Sequence, residues 1–172
     1  MHILMCNDDG ILADGLRHLA SYLSHYYRIT VVAPANEQSA KSHALTTEIP
    51  LKLDAYNGED ENPRLYALTG TPSDCMKFGL SYLLTDDMPD LVISGINHGF
   101  NLGSDVLYSG TVSAAMESCF YGIPGLALSV ERYSPERGDE MHPFIHELIE
   151  KIYVKGNFDG LLNVNFPLRG VC

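Results

Sequence analysis

Short apolar runs alternate with helix-length segments along this 172-residue chain, and that alternation restricts the possible folds more than any other feature. The runs that we predict to be strands are residues 2–6, 28–33, 90–94, 125–130 and 161–166. Such apolar runs are typical of strands that are buried on both faces. Parallel strands require long crossover connections. The pattern therefore predicts an α/β fold with a mostly parallel sheet that is covered by helices on both faces.

The segments between these runs show helical periodicity. The clearest apolar stripe follows the spacing i, i+3, i+4 and i+7 and comprises Leu16, Leu19, Ala20 and Leu23. Further helices are expected at about residues 72–84, 110–121 and 143–153.

One stretch departs from the alternation. A polar turn at residues 57–63 predicts a β-hairpin formed by residues 51–53 and 65–68. We expect this hairpin to be an excursion from the main sheet. The length of the chain is that of one ordinary domain, so residues 1–172 are expected to form a single domain.

The charge balance limits the partners. The net charge is -11 with only 11 Lys and Arg residues, which argues against a nucleic-acid polymer as the main partner. A small phosphorylated substrate is compatible with this charge if a divalent cation offsets the carboxylates around it. The sequence contains no apolar run of membrane length, so we expect no membrane partner.

The cysteines and the N-terminus indicate a compartment. Cys6, Cys75, Cys119 and Cys172 form no Cys-x-x-Cys pair and have neither zinc-ribbon nor disulfide-framework spacing. We therefore predict reduced thiols in the core. The first residues lack the length and the basic flank of a signal peptide, so a cytoplasmic location is expected.

Polar clusters follow three of the predicted strands. Asn7, Asp8 and Asp9 follow the first strand, residues 36–42 follow the second, and residues 95–101 follow the run that ends at Ser94. Ligands of open parallel sheets bind beyond the carboxyl ends of the strands. We therefore expect these three clusters to converge at one edge of the sheet.

The adjacent carboxylates Asp8 and Asp9 indicate a metal. They repel each other and have no basic neighbour in sequence, so a bound cation is the simplest compensation. Carboxylate, amide and hydroxyl oxygens favour Mg²⁺ or Mn²⁺ over zinc. The alternative is that Asp8 and Asp9 only begin a turn or cap the next helix.

Ser109, Gly110 and Thr111 open an Ala-rich helical segment. Free backbone N–H groups and hydroxyls at a helix start can bind phosphate. The alternative is that Ser109 or Thr111 is an ordinary N-cap.

No Gly-x-Gly-x-x-Gly or Gly-x-x-x-x-Gly-Lys sequence supports an NAD enzyme or an NTPase. His43 and His98 fall near the expected site, but we do not include them among the catalytic residues.

Together these motifs resemble the SurE (survival protein E) nucleotidase family. The resemblance rests on Asn7-Asp8-Asp9-Gly10, Val32-Ala33-Pro34 with Ser39 and Ser42, Gly70-Thr71-Pro72-Ser73-Asp74-Cys75, Ser94-Gly95-Ile96-Asn97 with Gly99, Asn101, Leu102 and Gly103, Tyr108-Ser109-Gly110-Thr111-Val112 with Ala114-Ala115-Met116-Glu117, and Asn163-Val164-Asn165-Phe166-Pro167. These motifs occur in the family's order and span nearly the whole chain.

The resemblance implies a three-layer αβα fold with a mostly parallel, Rossmann-like sheet. It also implies hydrolysis of nucleoside 5′- and often 3′-monophosphates with one divalent metal per subunit, Mg²⁺ or Mn²⁺. The implied metal ligands are Asp8, Asp9, Ser39 and Asn97. The implied phosphate site is the Ser109-Gly110-Thr111 turn, with Asn101 nearby. Family members continue past Asn-Phe-Pro into a tail that helps to build dimers or tetramers. We expect a homodimer or homotetramer as the partner state, and we expect this oligomerisation tail to be absent here.

The sequence differs from the family pattern at a few positions. Ala35 and Asn36 follow Pro34 where members often have Asp-Arg, and Ala40 and Ser118 stand where Gly is frequent. None of these differences removes an implied metal ligand.

Our mechanistic hypothesis is attack by a metal-activated water, with Asp9 as the catalytic base and Asp8 as the alternative base. One alternative is an aspartyl-phosphate intermediate formed on either residue. A second is a non-catalytic nucleotide sensor that uses the same pocket. A third is a receiver-like signalling module. It would need an acceptor Asp and a Lys at other strand ends, and the sequence does not offer them.

Overall fold

The computed structural model describes residues 1–58 and 60–167, and the strands and helices in that part alternate along the chain. The strands are β1 (His2–Cys6), β2 (Arg28–Pro34), β3 (Leu53–Ala55), β4 (Arg64–Leu68), β5 (Leu91–His98), β6 (Gly125–Val130) and β7 (Leu161–Phe166). The α-helices are α1 (Asp14–Leu23), α2 (Pro72–Phe78), α3 (Gly110–Cys119) and α4 (Pro135–Ile149). Single π-helical turns extend α2 and α4, and a 3₁₀ turn, Gly103–Leu107, precedes α3.

The strands form one sheet in the order β3-β4-β2-β1-β5-β6-β7. All neighbouring pairs are parallel except β3 with β4. Helices α1 and α4 pack together on one face of the sheet, and α2 and α3 pack together on the other. The predicted αβα fold with a mostly parallel sheet is confirmed.

The core lies on both faces of the sheet, which explains why the strands are so apolar. Every residue of β1 is buried, and its side chains alternate between the two helix layers. The predicted stripe of α1 is confirmed, because Leu16, Leu19, Ala20 and Leu23 are all fully buried.

The β3–β4 hairpin is confirmed, but it extends the main sheet and is not an excursion from it. β4 pairs in parallel with β2 from Thr30↔Arg64 to Pro34↔Leu68. Alternate side chains of β4 contact opposite helix layers, with Leu65 on one side and Leu68 on the other. This position covers the edge of β2, which would otherwise leave unpaired N–H and C=O groups.

Helix α4 begins eight residues earlier than we predicted. Ser134 is its N-cap and accepts a hydrogen bond from the Arg137 N–H at 3.3 Å, with Pro135 in the first turn. The predicted start of this helix, at about Pro143, is therefore wrong, because Pro143 lies in the helix interior. The Ser-Pro-Glu sequence at residues 134–136 was the better indication of the N-terminus.

The cysteines within the described ranges carry free thiols. Cys6 and Cys75 are buried and Cys119 is half-buried, as predicted. Burial raises the pKa of the Cys75 thiol. Cys172 lies outside the described residues. Every helix in the described ranges is too short or too polar to span a lipid bilayer.

Candidate metal and phosphate site

The strand order reverses between β1 and β5. From β1 the chain adds strands outward through β2 and β4, then returns to place β5 on the other side of β1. The crevice at such a reversal is the usual ligand site of an open α/β sheet. Asp8 and Asp9 follow β1 here, and Asn97 lies near the end of the adjacent β5.

Asp8 connects the end of β1 to the start of α3. Its side chain is buried, and its Oδ1 accepts a hydrogen bond from the Thr111 hydroxyl at 2.5 Å. Gly110 lies so close that a Cβ at that position would be 3.2 Å from Asp8 Oδ2. Burial raises the pKa of Asp8, although the hydrogen bond from Thr111 opposes this effect. The predicted metal residue and the predicted phosphate turn are therefore in direct contact.

Asp9 faces the end of β5. Burial raises its pKa to about 6, and the negative charges of Asp8 and Glu37 add to this effect. The His98 charge and a hydrogen bond with the His98 backbone act in the opposite direction. Asp9 lines a cavity of about 280 Å³ together with Gly15, His98, Tyr133, Pro135 and neighbouring residues.

Asp8 and Asp9 have no Lys or Arg partner in the part of the chain that the structure describes, residues 1–58 and 60–167. Two desolvated, mutually repelling carboxylates fit a divalent cation, because its charge would favour their ionised forms. In the same ranges no three His, Cys, Asp or Glu side chains form a metal-binding group. The predicted metal ligands would not form such a group, because only Asp8 and Asp9 among them are carboxylates and the other two are Ser39 and Asn97.

Asn7 shapes the turn that presents the two carboxylates. Its Nδ2 donates to the Gly10 carbonyl and its Oδ1 accepts from the Gly10 N–H, both at 3.1 Å. Gly10 has φ +102, a backbone conformation that L side chains rarely adopt. Asn7 therefore has a structural role in the turn.

Ser39 lies on the loop that follows β2. The neighbouring Gln38 N–H donates to the Asp8 carbonyl at 2.7 Å, so the loop reaches the end of β1. Ser39 itself is exposed, and its hydroxyl donates to Glu37 Oε1 at 2.7 Å. Glu37 was not among the predicted site residues, although it belongs to the polar cluster at residues 36–42. Its charge raises the pKa of both Asp8 and Asp9.

The β2–β3 loop, residues 35–52, is held at several points although it contains no regular helix or strand. Besides Gln38, several residues in the middle of the loop bind other parts of the chain. The contacts are Ser42 Oγ to the Leu107 carbonyl at 2.9 Å, His43 Nε2 to Glu117 Oε2 at 2.6 Å, the Ala44 carbonyl to Thr71 Oγ1 at 2.6 Å, and Thr46 Oγ1 to Asp74 Oδ2 at 2.7 Å.

The remaining predicted site residues lie along the segment from β5 to α3. Asn97 Nδ2 donates to the Gly99 carbonyl at 2.8 Å, which leaves the amide oxygen for other partners. Ser109 is the N-cap of α3, since its hydroxyl accepts from the Val112 N–H at 3.1 Å. Ser109 thus caps α3 and Thr111 binds Asp8, and contact of either residue with phosphate stays a prediction. Asn101 is buried, and its amide donates to Ser129 Oγ at 2.8 Å.

These features define the class of the protein. It is an αβα domain with a pair of carboxylates and a helix N-terminus at the switch point of its sheet. The chain belongs to the SurE family, because the family model for Survival protein SurE matches residues 3–171. The resemblance found in the sequence motifs is confirmed.

Two curated relatives and one solved structure illustrate the similarity. The 5'-nucleotidase SurE of Thermoanaerobacter sp. (strain X514) is 49% identical over 168 residues, which cover 97% of this chain and 66% of the relative. The 5'-nucleotidase SurE of Caldanaerobacter subterraneus subsp. tengcongensis is 48% identical over 96% of this chain and 65% of the relative. The crystal structure of the Sure protein from Aquifex aeolicus has a TM-score of 0.83 and 37% identity, and covers 97% of this chain and 66% of that chain. The chain thus spans about 65% of the length of these proteins.

The elevated pKa of Asp9 predicts a pH-dependent effect on stability. Below its ordinary pKa of 3.8, Asp9 is neutral in both the folded and the unfolded state. Between pH 3.8 and about 6 it ionises in the unfolded state but stays neutral in the folded state, so the folded state loses stability as the pH rises. We expect Asp9→Asn to match the wild type near pH 4 and to be more stable above pH 6. The expected gain is about 1 kcal/mol, because partial exposure reduces the full effect. Urea unfolding in a chelator between pH 4 and pH 8 measures it.

Asp74 provides the opposite case as a control. Burial would raise its pKa, but hydrogen bonds from Thr46 and Thr71 outweigh burial and lower it. Asp74→Asn should therefore lose stability relative to the wild type as the pH rises above 4. Equal stability of Asp9→Asn and the wild type at pH 8 would contradict the burial of Asp9.

Proposed function

We propose that this chain is a metal-dependent phosphomonoesterase that hydrolyses nucleoside 5′- and 3′-monophosphates to nucleoside and phosphate. The observation that carries the proposal is the hydrogen bond from Thr111 to Asp8, which joins a carboxylate pair to the N-terminus of α3. A metal held by the carboxylates and a phosphate held at the helix would then share one crevice. The names of the relatives, 5'-nucleotidase SurE, support the same activity.

The proposed metal ligands are Asp8, Asp9, Ser39 and Asn97, binding one Mg²⁺ or Mn²⁺ ion. All four offer oxygen atoms, the donors that these hard cations prefer. Ser39 would exchange its hydrogen bond with Glu37 for the metal. When bound, the ion would neutralise charge on the phosphoryl group and acidify a water molecule.

The chain's own groups would orient the phosphate and move the proton. The first N–H groups of α3, at Gly110 and Thr111, have no partner within the helix and point beyond its start. They would donate to the phosphate oxygens, with Asn101 close to them. Asp9 is the better placed proton acceptor of the two carboxylates, because one oxygen of Asp8 is engaged by Thr111.

Phosphate release from a panel of nucleoside 5′- and 3′-monophosphates tests the proposal. Each substrate is incubated with the chain in Mg²⁺, in Mn²⁺ or in a chelator. We expect release with either metal and none with the chelator. Nucleotide binding without release under every condition would indicate a nucleotide sensor and would contradict hydrolysis.

Thr111 provides a sharper test of the crevice. Thr111→Val preserves the shape of this fully buried side chain but removes the donor to Asp8. We expect kcat/KM to fall at least about tenfold, since hydrogen bonds to charged groups contribute about 1.5–3 kcal/mol. Thr111→Ser retains the hydroxyl and should remain within about threefold of the wild type. Equal activity of the Val and Ser variants would show that the hydrogen bond from Thr111 to Asp8 does not contribute to catalysis.

We also propose that the protein acts in the cytoplasm as a homodimer or homotetramer. The free thiols of Cys6, Cys75 and Cys119 are consistent with a reducing compartment. Light scattering at several protein concentrations measures the oligomeric state, and a monomer at all of them would contradict the assembly.

A further inference from the structure

A row of polar side chains crosses three neighbouring strands at the base of the loop that joins β5 to α3. Asn97 on β5 is in register with Ser129 on β6, and Ser129 is in register with Asn165 on β7. Asn163 lies two residues before Asn165, so both side chains project from the same face of β7. The row therefore connects a proposed metal ligand with an Asn-x-Asn sequence to which the proposed mechanism gives no role.

Asn163 and Asn165 bind the backbone of Asn101. The Asn101 N–H donates to Asn165 Oδ1 at 2.9 Å, and its carbonyl accepts from Asn163 Nδ2 at 2.8 Å and from Asn165 Nδ2 at 3.3 Å. Asn165 thus uses both ends of its amide on one residue. The Asn101 side chain makes a further contact, with Ser129 Oγ.

Asn101 is the buried anchor of an otherwise exposed segment. It is 6% exposed, whereas residues 102–105 directly after it are exposed. Gly99 and Gly103 on either side have positive φ values of 98 and 56, and both have open space around them. Packing therefore contributes little to holding these glycines. Hydrogen bonds hold both ends of the segment, since the Gly99 N–H donates to the Val130 carbonyl at 2.8 Å and the Leu107 carbonyl accepts from Ser42 Oγ. Between these ends, the segment is held by the hydrogen bonds at Asn101.

We propose that Asn163 and Asn165 are positioning residues, which hold the loop of residues 99–108 through Asn101 and so set the spacing between Asn97 and the Ser109–Thr111 turn. This inference rests on the proposed function, since it concerns how the two halves of that site are aligned. Neither asparagine is required to contact the substrate.

The test compares Asn165→Asp with a control on the same strand. The Asp variant retains an acceptor for the Asn101 N–H but loses the donor to its carbonyl and adds a charge beside it. Val164→Ala is the control, because Val164 packs against the core on the opposite face of β7. Both variants should lower the melting temperature.

We expect Asn165→Asp to lower kcat/KM for a nucleoside monophosphate about tenfold, mainly through KM, and to weaken inhibition by inorganic phosphate to a similar degree. Asn163→Ala, which removes a single donor, should have a smaller effect in the same direction. Val164→Ala should remain within about twofold of the wild type in both measurements. Asn165→Asp and Asn165→Ala variants that both stay within twofold would overturn the proposal.

Hydrogen exchange separates failure of this inference from failure of the proposed function. Backbone amides of residues 99–108 should exchange faster in Asn165→Asp than in Val164→Ala. If the wild type releases no phosphate from any nucleotide, the proposed function fails and exchange alone decides the role of the asparagines. Unchanged exchange in Asn165→Asp would then overturn it.

Discussion

Replacement of Asp8 or Asp9 with Asn is expected to lower metal-dependent phosphate release at least about a hundredfold. Asn has nearly the same shape as Asp, but it removes one of two negative charges that no Lys or Arg within residues 1–58 and 60–167 pairs with. A divalent cation would then bind much more weakly. Phosphate release is measured against Mg²⁺ and Mn²⁺ concentration, so that weaker metal binding is distinguished from slower turnover.

Asp86→Asn is the matched control for these two variants. Asp86 is exposed and lies between α2 and β5, at the opposite end of the strands from the crevice. It should retain wild-type activity and metal dependence. If Asp9→Asn behaved in the same way as Asp86→Asn, Asp9 would be neither a metal ligand nor the base.

The largest effect on stability is expected for Gly95→Ala. Gly95 has φ +133, and a Cβ there would lie 2.3 Å from the Leu128 carbonyl oxygen on the neighbouring strand. Neither backbone can move without separating β5 from β6, so we expect a loss of at least about 3 kcal/mol or a failure to fold. Thermal or urea unfolding of the purified variant measures the loss.

Gly122→Ala separates the clash from the effect of the dihedral angle alone. Gly122 also has a positive φ, +71, but a Cβ there would meet nothing within 4 Å. Its expected cost is about 1 kcal/mol. If the two variants lost equal stability, contact with β6 would not explain the need for glycine at position 95.

The fold was predictable where local pattern and tertiary packing agree. Strand β7 and the apolar stripe of α1 depend on composition and periodicity, which the sequence displays directly. The pairing of β4 with β2 depends on a long-range choice of edge, which periodicity does not encode. Helix α4 was placed too late because Pro143 is tolerated inside it, where tertiary packing outweighs local preference.

The sequence predicts which loops come together at the site. Parallel strands bring Asp8, Asp9 and Asn97 to one edge of the sheet, and that follows from strand order. The individual hydrogen bonds do not follow from it. Nothing in the sequence distinguishes Ser109 as a cap from Thr111 as the partner of Asp8. The metal-ligand set remains a prediction.

The bonds that hold the β2–β3 loop affect how the crevice can open. The loop carries Ser39. It contacts Asp8 in the turn after β1, helices α2 and α3, and the turn before α3 through separate hydrogen bonds. Breaking any one of them leaves the others in place, so the loop cannot fray residue by residue as an unattached segment does. Movement of Ser39 away from the end of β1 would then require several contacts to break together. Such a cooperative step is slower than the fluctuations of a free loop.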